Sequence, residues 1–301
     1  MTINNSKRFK IIDTLLIVLT ILPVLSGIVL KILTNPGTEG LSVTGAVIYF
    51  TIPMPFFGDM PITEAQVNSL IVALFILFLS LWLTHGIALY PNSKRQIIAE
   101  WIVTATDKLV EENMGQYFNG YSPFIGAIIG TSIISSLLTL TGLFPPTSDF
   151  NVILGWSAMI FMLITYYKLK GGLFNYFKGF TEPIVLFTPM NIISEFATPI
   201  SMTFRHYGNV LSGSIISLLL AYGLRGLSTL IIGWIPVLGQ FPLFRIGIPA
   251  VLSLYFDIFS GLLQAYIFAM LSMLYISSAL PVEKWLARKE KKKARKAKEN
   301  A

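Results

Sequence analysis

The sequence predicts an all-α integral membrane protein. We expect about six membrane helices, the last two forming a long, strongly tilted hairpin, together with one amphipathic helix on the membrane surface. Hydrophobic residues make up 54% of the 301 residues and charged residues only 12%. Apolar runs of about 20 residues, the length that spans a bilayer, recur along the chain. Cysteine is absent, which excludes disulfides and thiolate metal sites.

The basic charge is concentrated at the carboxyl end. Much of the net charge of +7 lies in the lysine-rich stretch from Lys284 onward. This placement indicates membrane topology and attraction to anionic lipid rather than nucleic-acid binding. We interpret residues 282–301 as a basic cytoplasmic tail.

Residues 1–63 predict an additional span followed by a loop on the outside. The apolar run 15–33 is interrupted only by Lys31. It is long for the core of a signal peptide and lacks a clean cleavage site, so we expect it to be retained as a span. Residues 34–63 are rich in Gly and Pro and contain no Lys or Arg, which predicts an outside loop that dips towards the membrane interface.

Residues 64–281 form the predicted core. Its first spans are predicted at 68–89, 123–143 and 152–167. The stretch 90–117 is charged and amphipathic, so we place it on the membrane surface. With the amino terminus inside, most Lys and Arg residues that flank the spans are cytoplasmic, which predicts that both termini are cytoplasmic. The exceptions are Lys31, Arg225 and Arg245.

Two long segments, 191–223 and 249–280, complete the core. At 1.5 Å per residue each spans about 48–50 Å, against a hydrocarbon core of about 30 Å. We therefore expect a strongly tilted hairpin with its turn near Trp234, although ends that protrude into the interface are the alternative. Pro199 is expected to bend the first segment.

Arg205 lies near the middle of the first long segment. An arginine at the bilayer centre costs about 2.5–3.5 kcal/mol, and it cannot lose its proton to escape that cost. It must therefore face a polar cavity or a partner. A helical projection places other polar residues within about 40° of it: Asn191, Ser194, Thr198, Ser201, Asn209 and Ser212. This stripe predicts a wet groove or a polar partner, while packing against neighbouring helices is the alternative.

The second long segment has a polar stripe around Gln264. Arg205 and Gln264 lie at similar distances along the chain from the turn, so a hairpin places them at similar depth. The other members of the stripe are Ser253, Asp257, Ser260, Tyr275 and Ser278. The predicted constellation is a permanent cation, an amide opposite it, and carboxylates displaced along the stripes: Glu195 towards the inside and Asp257 at an uncertain offset.

These residues carry a family resemblance. TFRHYGNVLSG resembles the R-L-[FY]-G-N-x-x-[AS]-G signature of subunit a of the F-type ATP synthase, and LLQAYIFAMLSMLYISSA resembles that family's L-Q-A-[FY]-I-F stretch. Weaker similarities occur in TLTGLFPP and in FKGFTEPIVLFTPMNIISEF. The resemblance covers about residues 68–279 in the right order.

The resemblance implies an ion-conducting stator subunit of a rotary ATP synthase in the bacterial plasma membrane. It implies two aqueous half-channels that lead to carboxylates on a ring of c subunits. Arg205 would prevent an ion short-circuit and displace the ion from the passing carboxylate. Gln264 and Asn209 would pack near the arginine, and Glu195 would lie at the cytoplasmic half-channel. The implied partners are the c-ring, peripheral-stalk b subunits, other synthase subunits, the lipid bilayer and a translocated proton, with sodium left open.

Several positions depart from the family pattern, among them Thr139, where Asn is common. His206 stands where an apolar residue is usual, Ser214 where Glu is common, and Asp257 where His is common. We expect Asp257 to relay protons in the outer half-channel, although it could instead pair with Arg245. Glu195 could be a helix-end charge beside lysines, and His206 could be a packing residue.

No bond-making site is predicted in the chain itself. The phosphate-binding pattern G-x-x-x-x-G-K-[ST] is absent, and the two histidines are far apart, so we expect no nucleotide chemistry, cofactor or metal. A secondary anion transporter is the alternative function, but it predicts internal repeats and broken helices. A purely structural membrane scaffold would leave Arg205 and Asp257 without a purpose.

Overall fold

The structure is a computed structural model that describes residues 2–34, 46–54, 58–89, 93–182, 184–232, 254–283 and 285. For a few of these, Asp257 among them, only the backbone is described. The principal helices are α1 (Thr2–Thr34), α2 (Glu64–Thr84), α3 (Lys94–Met114), α4 (Ser122–Leu138), α5 (Phe150–Lys170), α6 (Leu173–Thr181), α7 (Thr188–Ile232) and α8 (Ser260–Ser278). Within the described ranges, six helices are long and apolar enough to cross a membrane, as the sequence predicts.

An antiparallel β-ribbon lies where the sequence analysis expected only a loop. Strand β1 (Ile48–Met54) pairs with β2 (Gly58–Thr63) in a register that places Phe50 opposite Ile62. The segment IYFTIPM combines β-branched and aromatic residues, which favour strands. The prolines do not prevent pairing because a two-stranded ribbon has only edge strands. The Gly and Pro content of residues 34–63 is therefore compatible with a ribbon as well as with a loop.

The amino-terminal helix α1 packs along α2 and forms two charge pairs, one near its carboxyl end and one about three turns from its amino end. Towards its carboxyl end, Lys31 Nζ lies 3.2 Å from Glu64 Oε1 and donates to the Gly142 carbonyl at 2.5 Å. Eighteen residues earlier, Asp13 forms an ion pair with Arg95 at the start of α3. The additional span therefore belongs to the helical bundle.

Helix α3 corresponds to the predicted surface helix. Ser93 caps its amino end, since its Oγ accepts a hydrogen bond from the Gln96 N–H. The helix buries Val110 and Met114 in the core. Five large apolar side chains in its amino-terminal half are exposed, namely Ile97, Ile98, Trp101, Ile102 and Val103. An exposed apolar face on a charged helix is typical of a helix that lies at a membrane interface.

A short helix, α6, follows α5 where the sequence analysis assigned no element. The chain turns into it through Gly172, whose φ of +112° is a conformation that favours glycine. The amide of Asn175 in the first turn donates to the Gly171 carbonyl at 2.9 Å. This helix covers the end of α5 and contacts α7, and it thereby helps to enclose a cavity described below.

Helix α7 is longer than the predicted segment 191–223, with 45 residues. At 1.5 Å per residue it spans about 68 Å, more than twice the hydrocarbon thickness of about 30 Å. A strong tilt, together with ends that extend beyond the hydrocarbon core, accommodates this length. The helix continues through Pro199, whose carbonyl accepts a hydrogen bond from the Thr203 hydroxyl at 2.9 Å.

Helix α8 lies at the centre of the bundle and contacts α3, α4, α5 and α7. Phe268, Ala269, Met273 and Ile276 are almost completely buried in the main hydrophobic core. A π-helical segment, Leu254–Phe259, precedes α8. The predicted turn near Trp234 and residues 249–253 of the predicted second segment lie outside the described residues.

Candidate functional site

A polar contact joins α7 to α8 at the candidate site. The side-chain amide of Asn209 donates to Ser260 Oγ at 3.0 Å, and Asn209 Oδ1 lies 3.2 Å from the same hydroxyl. Four residues before Asn209 on α7 is Arg205, and four residues after Ser260 on α8 is Gln264. Because the two helices run in opposite directions, this contact brings Arg205 and Gln264 to the same level.

Arg205 is exposed on α7. No described residue lies within ion-pair or hydrogen-bond distance of its guanidinium. The predicted polar stripe shares this outward face: Ser194, Ser201 and Ser212 are exposed, and Asn191, Thr198 and Asn209 are half-buried. A permanent charge on the outer face of a membrane helix requires water or a polar partner there.

The opposite side of α7 packs into the bundle. Met202, Thr203 and His206 are buried there, each exposing 2% or less. The His206 ring makes edge-to-face contacts with Trp156 and Phe268, at centroid distances of 6.3 and 5.3 Å. Its Nδ1 has no hydrogen-bond partner among the described residues. The structure thus separates His206 from its neighbour Arg205 and surrounds it with aromatic rings.

Gln264 is buried, with 3% of its surface exposed. Gln264 and Arg205 lie at the same level of the two helices, as predicted. Their side chains nevertheless form no hydrogen bond with each other. Ser260 belongs to the predicted stripe, but its role as the partner of Asn209 did not emerge from sequence. An antiparallel register could have suggested it, because the register that pairs Arg205 with Gln264 also pairs Asn209 with Ser260.

Glu195 lies in a separate group, nearly three turns before Arg205 on α7. Its Oε2 accepts a hydrogen bond from Lys168 Nζ at 2.5 Å, and only 12% of its side chain is exposed. The second carboxylate oxygen, Oε1, is buried without a hydrogen-bond partner among the described residues. The distribution of basic residues predicts Lys168 on the same side of the membrane as Glu195, but no sequence signal identifies it as the partner of Glu195.

A cavity of about 510 Å³ opens beside this ion pair. Asn175 and Tyr176 of α6 and Asn191 of α7 line it. The Asn191 amide also donates to the carbonyls of Phe180 and Glu182 at 2.8 and 3.0 Å, which holds the end of α6 against α7. Burial raises the pKa of Tyr176 above its ordinary value, and the negative charge of Glu195 raises it further.

Ser214 and Asp257 lie beyond the Asn209–Ser260 contact, in the direction of the hairpin turn. Ser214 is exposed, and its hydroxyl donates to the Leu211 carbonyl of its own helix at 2.8 Å. Asp257 lies in the π-helical segment, and its side chain is outside the described part of the structure. A π-helix holds more residues per turn than an α-helix. The uniform α-helical projection used for the second stripe therefore does not apply at Asp257.

Comparison with known proteins bears on this arrangement. Residues 67–277 match the family model described as the ATP synthase A chain. The chain is 29% identical over 269 residues to the sodium ion specific ATP synthase subunit a of Propionigenium modestum, covering 79% of this chain and 86% of that protein. It is 32% identical over 225 residues to ATP synthase subunit a of Staphylococcus carnosus, covering 69% of this chain and 86% of the relative.

A third relative, ATP synthase subunit a of Priestia megaterium, is 30% identical over 237 residues, which cover 74% of this chain and 95% of that protein. The region matched by the family model contains Glu195, Arg205, Asn209 and Gln264. It also contains five of the six candidate membrane spans in whole or in large part. The chain therefore belongs to the family of subunit a of the F-type ATP synthases, the ion-translocating component of the membrane sector.

Proposed function

We propose that this subunit conducts ions past a ring of c subunits through two aqueous half-channels, with Arg205 as the fixed charge between them. The observation that carries the proposal is the exposed Arg205 in the outward polar stripe of α7. A membrane-embedded guanidinium on an outer face requires a polar or negatively charged partner. Ring carboxylates of neighbouring synthase subunits are such a partner.

A fixed cation acts on a passing carboxylate by lowering its pKa, which favours the ionised form. A carboxylate that arrives protonated, or with a bound ion, therefore releases it near Arg205. The guanidinium stays charged throughout, because its own pKa is above about 12. The same charge repels a cation that would pass directly between the two half-channels, which prevents a short-circuit.

We assign the inner half-channel to the cavity beside Glu195. The cavity lies next to the end of α5, where Lys168 and Lys170 are located, and we place this end in the cytoplasm. The supporting observations are the cavity volume of about 510 Å³ and the unpartnered oxygen of Glu195.

We assign the outer half-channel to the region beyond the Asn209–Ser260 contact, with Ser214 and Asp257 as relay candidates. Both positions lie on the hairpin-turn side of that contact. Asp257→Ala is expected to reduce ion flux. His206 is buried among aromatic rings one residue after Arg205, so we assign it a packing role, and a test is given below.

The proposal extends to the partners and the membrane topology of the subunit. Besides the c-ring, we propose contacts with peripheral-stalk b subunits and with lipid. We place the subunit in a bacterial plasma membrane with both termini cytoplasmic.

We divide the chain into an additional amino-terminal span and outside loop (1–63), an ion-translocating core (64–281) and a basic tail (282–301). The proposed ion is a proton. Sodium is the second candidate, because one relative is named as sodium ion specific.

The test is ATP synthesis driven by an imposed ion gradient and membrane potential, in vesicles that carry the assembled Arg205→Ala synthase. We expect coupled synthesis to be lost. Arg225→Ala is the matched control, because Arg225 is also an exposed arginine on α7 but lies five and a half turns further along. Normal synthesis in the assembled Arg205→Ala enzyme would contradict the proposal and reopen the anion-transporter alternative.

A further inference from the structure

The Lys168–Glu195 ion pair lies at the junction of two cavities. The larger cavity, of about 510 Å³, is the one assigned above to the inner half-channel. A smaller cavity of about 80 Å³ is lined by Phe161, Ile164 and Tyr275. Four residues line both cavities, namely Lys168, Glu195, Thr198 and Ser278. The ion pair therefore stands where the two spaces meet.

The smaller cavity lies on the side of the ion pair that is nearer the membrane centre. Ile164 and Phe161 precede Lys168 on α5 by four and seven residues, about one and two turns into the span. On α7, Thr198 lies almost one turn from Glu195 in the direction of Arg205. A volume of 80 Å³ accommodates a few water molecules. A path from the large cavity towards Arg205 along these two helices passes the ion pair.

We propose that Lys168 is a positioning residue of the ion pathway, which holds Glu195 across this junction and keeps the two cavities separate until the pair opens. The inference rests on the proposed function for the identity of the large cavity as a half-channel. Lys168 binds one oxygen of Glu195 and leaves the other buried without a partner among the described residues. Glu195 thus keeps one acceptor for water or a translocated ion while its orientation is held.

The pair is suited to opening as well as to closing. The Lys168 side chain is 35% exposed, whereas that of Glu195 is 12% exposed. Pairs with a partly exposed member are stabilised only modestly, and the flexible stem of lysine allows its ammonium to move into water. When the ammonium moves away, Glu195 loses the contact that orients it across the junction, and the two cavities connect.

The experiment measures access to the smaller cavity. The chain contains no cysteine, so an introduced cysteine is the only thiol in this subunit. Ile164→Cys reports on the smaller cavity, and Ser194→Cys reports on the larger cavity alone. Everted vesicles with the assembled synthase are exposed to Ag⁺, and the remaining thiols are labelled with a fluorescent maleimide on the denatured subunit. The rate of Ag⁺ block is compared with and without Lys168→Gln.

We expect Ag⁺ to react with the cysteine of Ile164→Cys about fivefold faster when Lys168→Gln is also present. This increase in rate is the one expected when an ion pair with a partly exposed member is lost. Ser194→Cys should react at the same rate in both backgrounds, and Lys168→Arg should keep the slow rate at Ile164→Cys. Lys178→Gln is the matched control for charge, because Lys178 is 60% exposed and pairs only loosely with Glu182. An unchanged rate at Ile164→Cys, or an equal increase in the Lys178→Gln background, would overturn the inference.

Two features keep the result interpretable. Glu195→Gln breaks the same pair from the other side and replaces Lys168→Gln if that variant does not assemble. Thiol access does not require coupled synthesis, so the two proposals fail separately. Inactive Arg205→Ala with an unchanged rate at Ile164→Cys would refute only the role of Lys168. Normal synthesis in Arg205→Ala with faster block at Ile164→Cys would refute only the proposed function.

Discussion

Asn209 and Ser260 connect α7 to α8 through an amide–hydroxyl contact of 3.0 Å. The contact sets the antiparallel register of the two helices and brings Arg205 level with Gln264. It leaves Arg205 on the exposed face of α7 and Gln264 inside the bundle. The contact thus joins the two helices one turn from a charge that no described group neutralises.

This register predicts the outcome of disulfide cross-linking. In the cysteine-free chain, Asn209→Cys with Ser260→Cys should form an intramolecular disulfide on mild oxidation, detected by mass spectrometry after proteolysis. The control pair, Asn209→Cys with Gln264→Cys, is displaced by about one turn, or 5–6 Å along α8, and should not cross-link. Cross-linking of the control pair alone would show that the register is wrong.

Gly261 should be intolerant of a side chain. A Cβ at Gly261 would lie 2.7 Å from Ser136 Cβ on α4, which is closer than packed carbon atoms approach. We expect Gly261→Ala to destabilise the protein by about 1–3 kcal/mol through overpacking between α4 and α8. Thermal unfolding in lipid nanodiscs measures the effect.

The same position offers a control and a rescue. Gly155→Ala on α5 should have little effect, because nothing lies within 4 Å of a Cβ there. Ser136→Gly combined with Gly261→Ala should recover most of the loss, since it removes the atoms that the new methyl group meets. Absence of this recovery would exclude the clash with Ser136 as the cause.

The Lys31–Glu64 pair should contribute to stability more than an ordinary surface pair. Only 5% of the Glu64 side chain is exposed, and Lys31 is its cationic partner at 3.2 Å. Lys31→Met leaves a buried carboxylate without that partner. We expect a loss of about 1–2 kcal/mol, below the value for a fully buried pair because Lys31 itself is one-third exposed.

Lys108→Met is the comparison for this prediction. Lys108 and Glu112 are 73% and 61% exposed and 3.8 Å apart, so their pair should be worth less than about 0.5 kcal/mol. Both variants are measured by thermal unfolding in the same lipid. Equal effects of the two substitutions would mean that α1 is not anchored through Lys31.

His206→Phe should preserve assembly and ATP synthesis. His206 is 1% exposed, packs edge-to-face against Phe268, and forms no hydrogen bond through Nδ1 within the described residues. A phenyl ring has a similar shape and makes the same aromatic contacts. We expect synthesis rates within about twofold of the parent, since volume-conserving apolar replacements are well tolerated. A large loss of synthesis in an assembled His206→Phe enzyme would instead assign the histidine to the proton path.

Sequence by itself determined the membrane architecture and the central charge. Runs of apolar residues predict spans because the bilayer requires a fixed hydrophobic length, and six candidate spans occur among the described residues. Arg205 is conspicuous in the sequence because its charge is permanent. Arg205 and Gln264 lie at similar distances along the chain from the predicted turn, which predicts that they lie at the same level. The motifs around these two residues also indicated the family that the comparisons identify.

Only the tertiary structure decided which faces of the helices meet. Helical periodicity shows which residues share a face, but it does not show which neighbour that face contacts. The pairing of Lys168 with Glu195, the burial of Gln264 and the aromatic surroundings of His206 depend on how α5, α7 and α8 are rotated about their axes. The β-ribbon and α6 were missed for a related reason, since both are short segments whose stability comes from pairing or packing rather than from a strong local pattern.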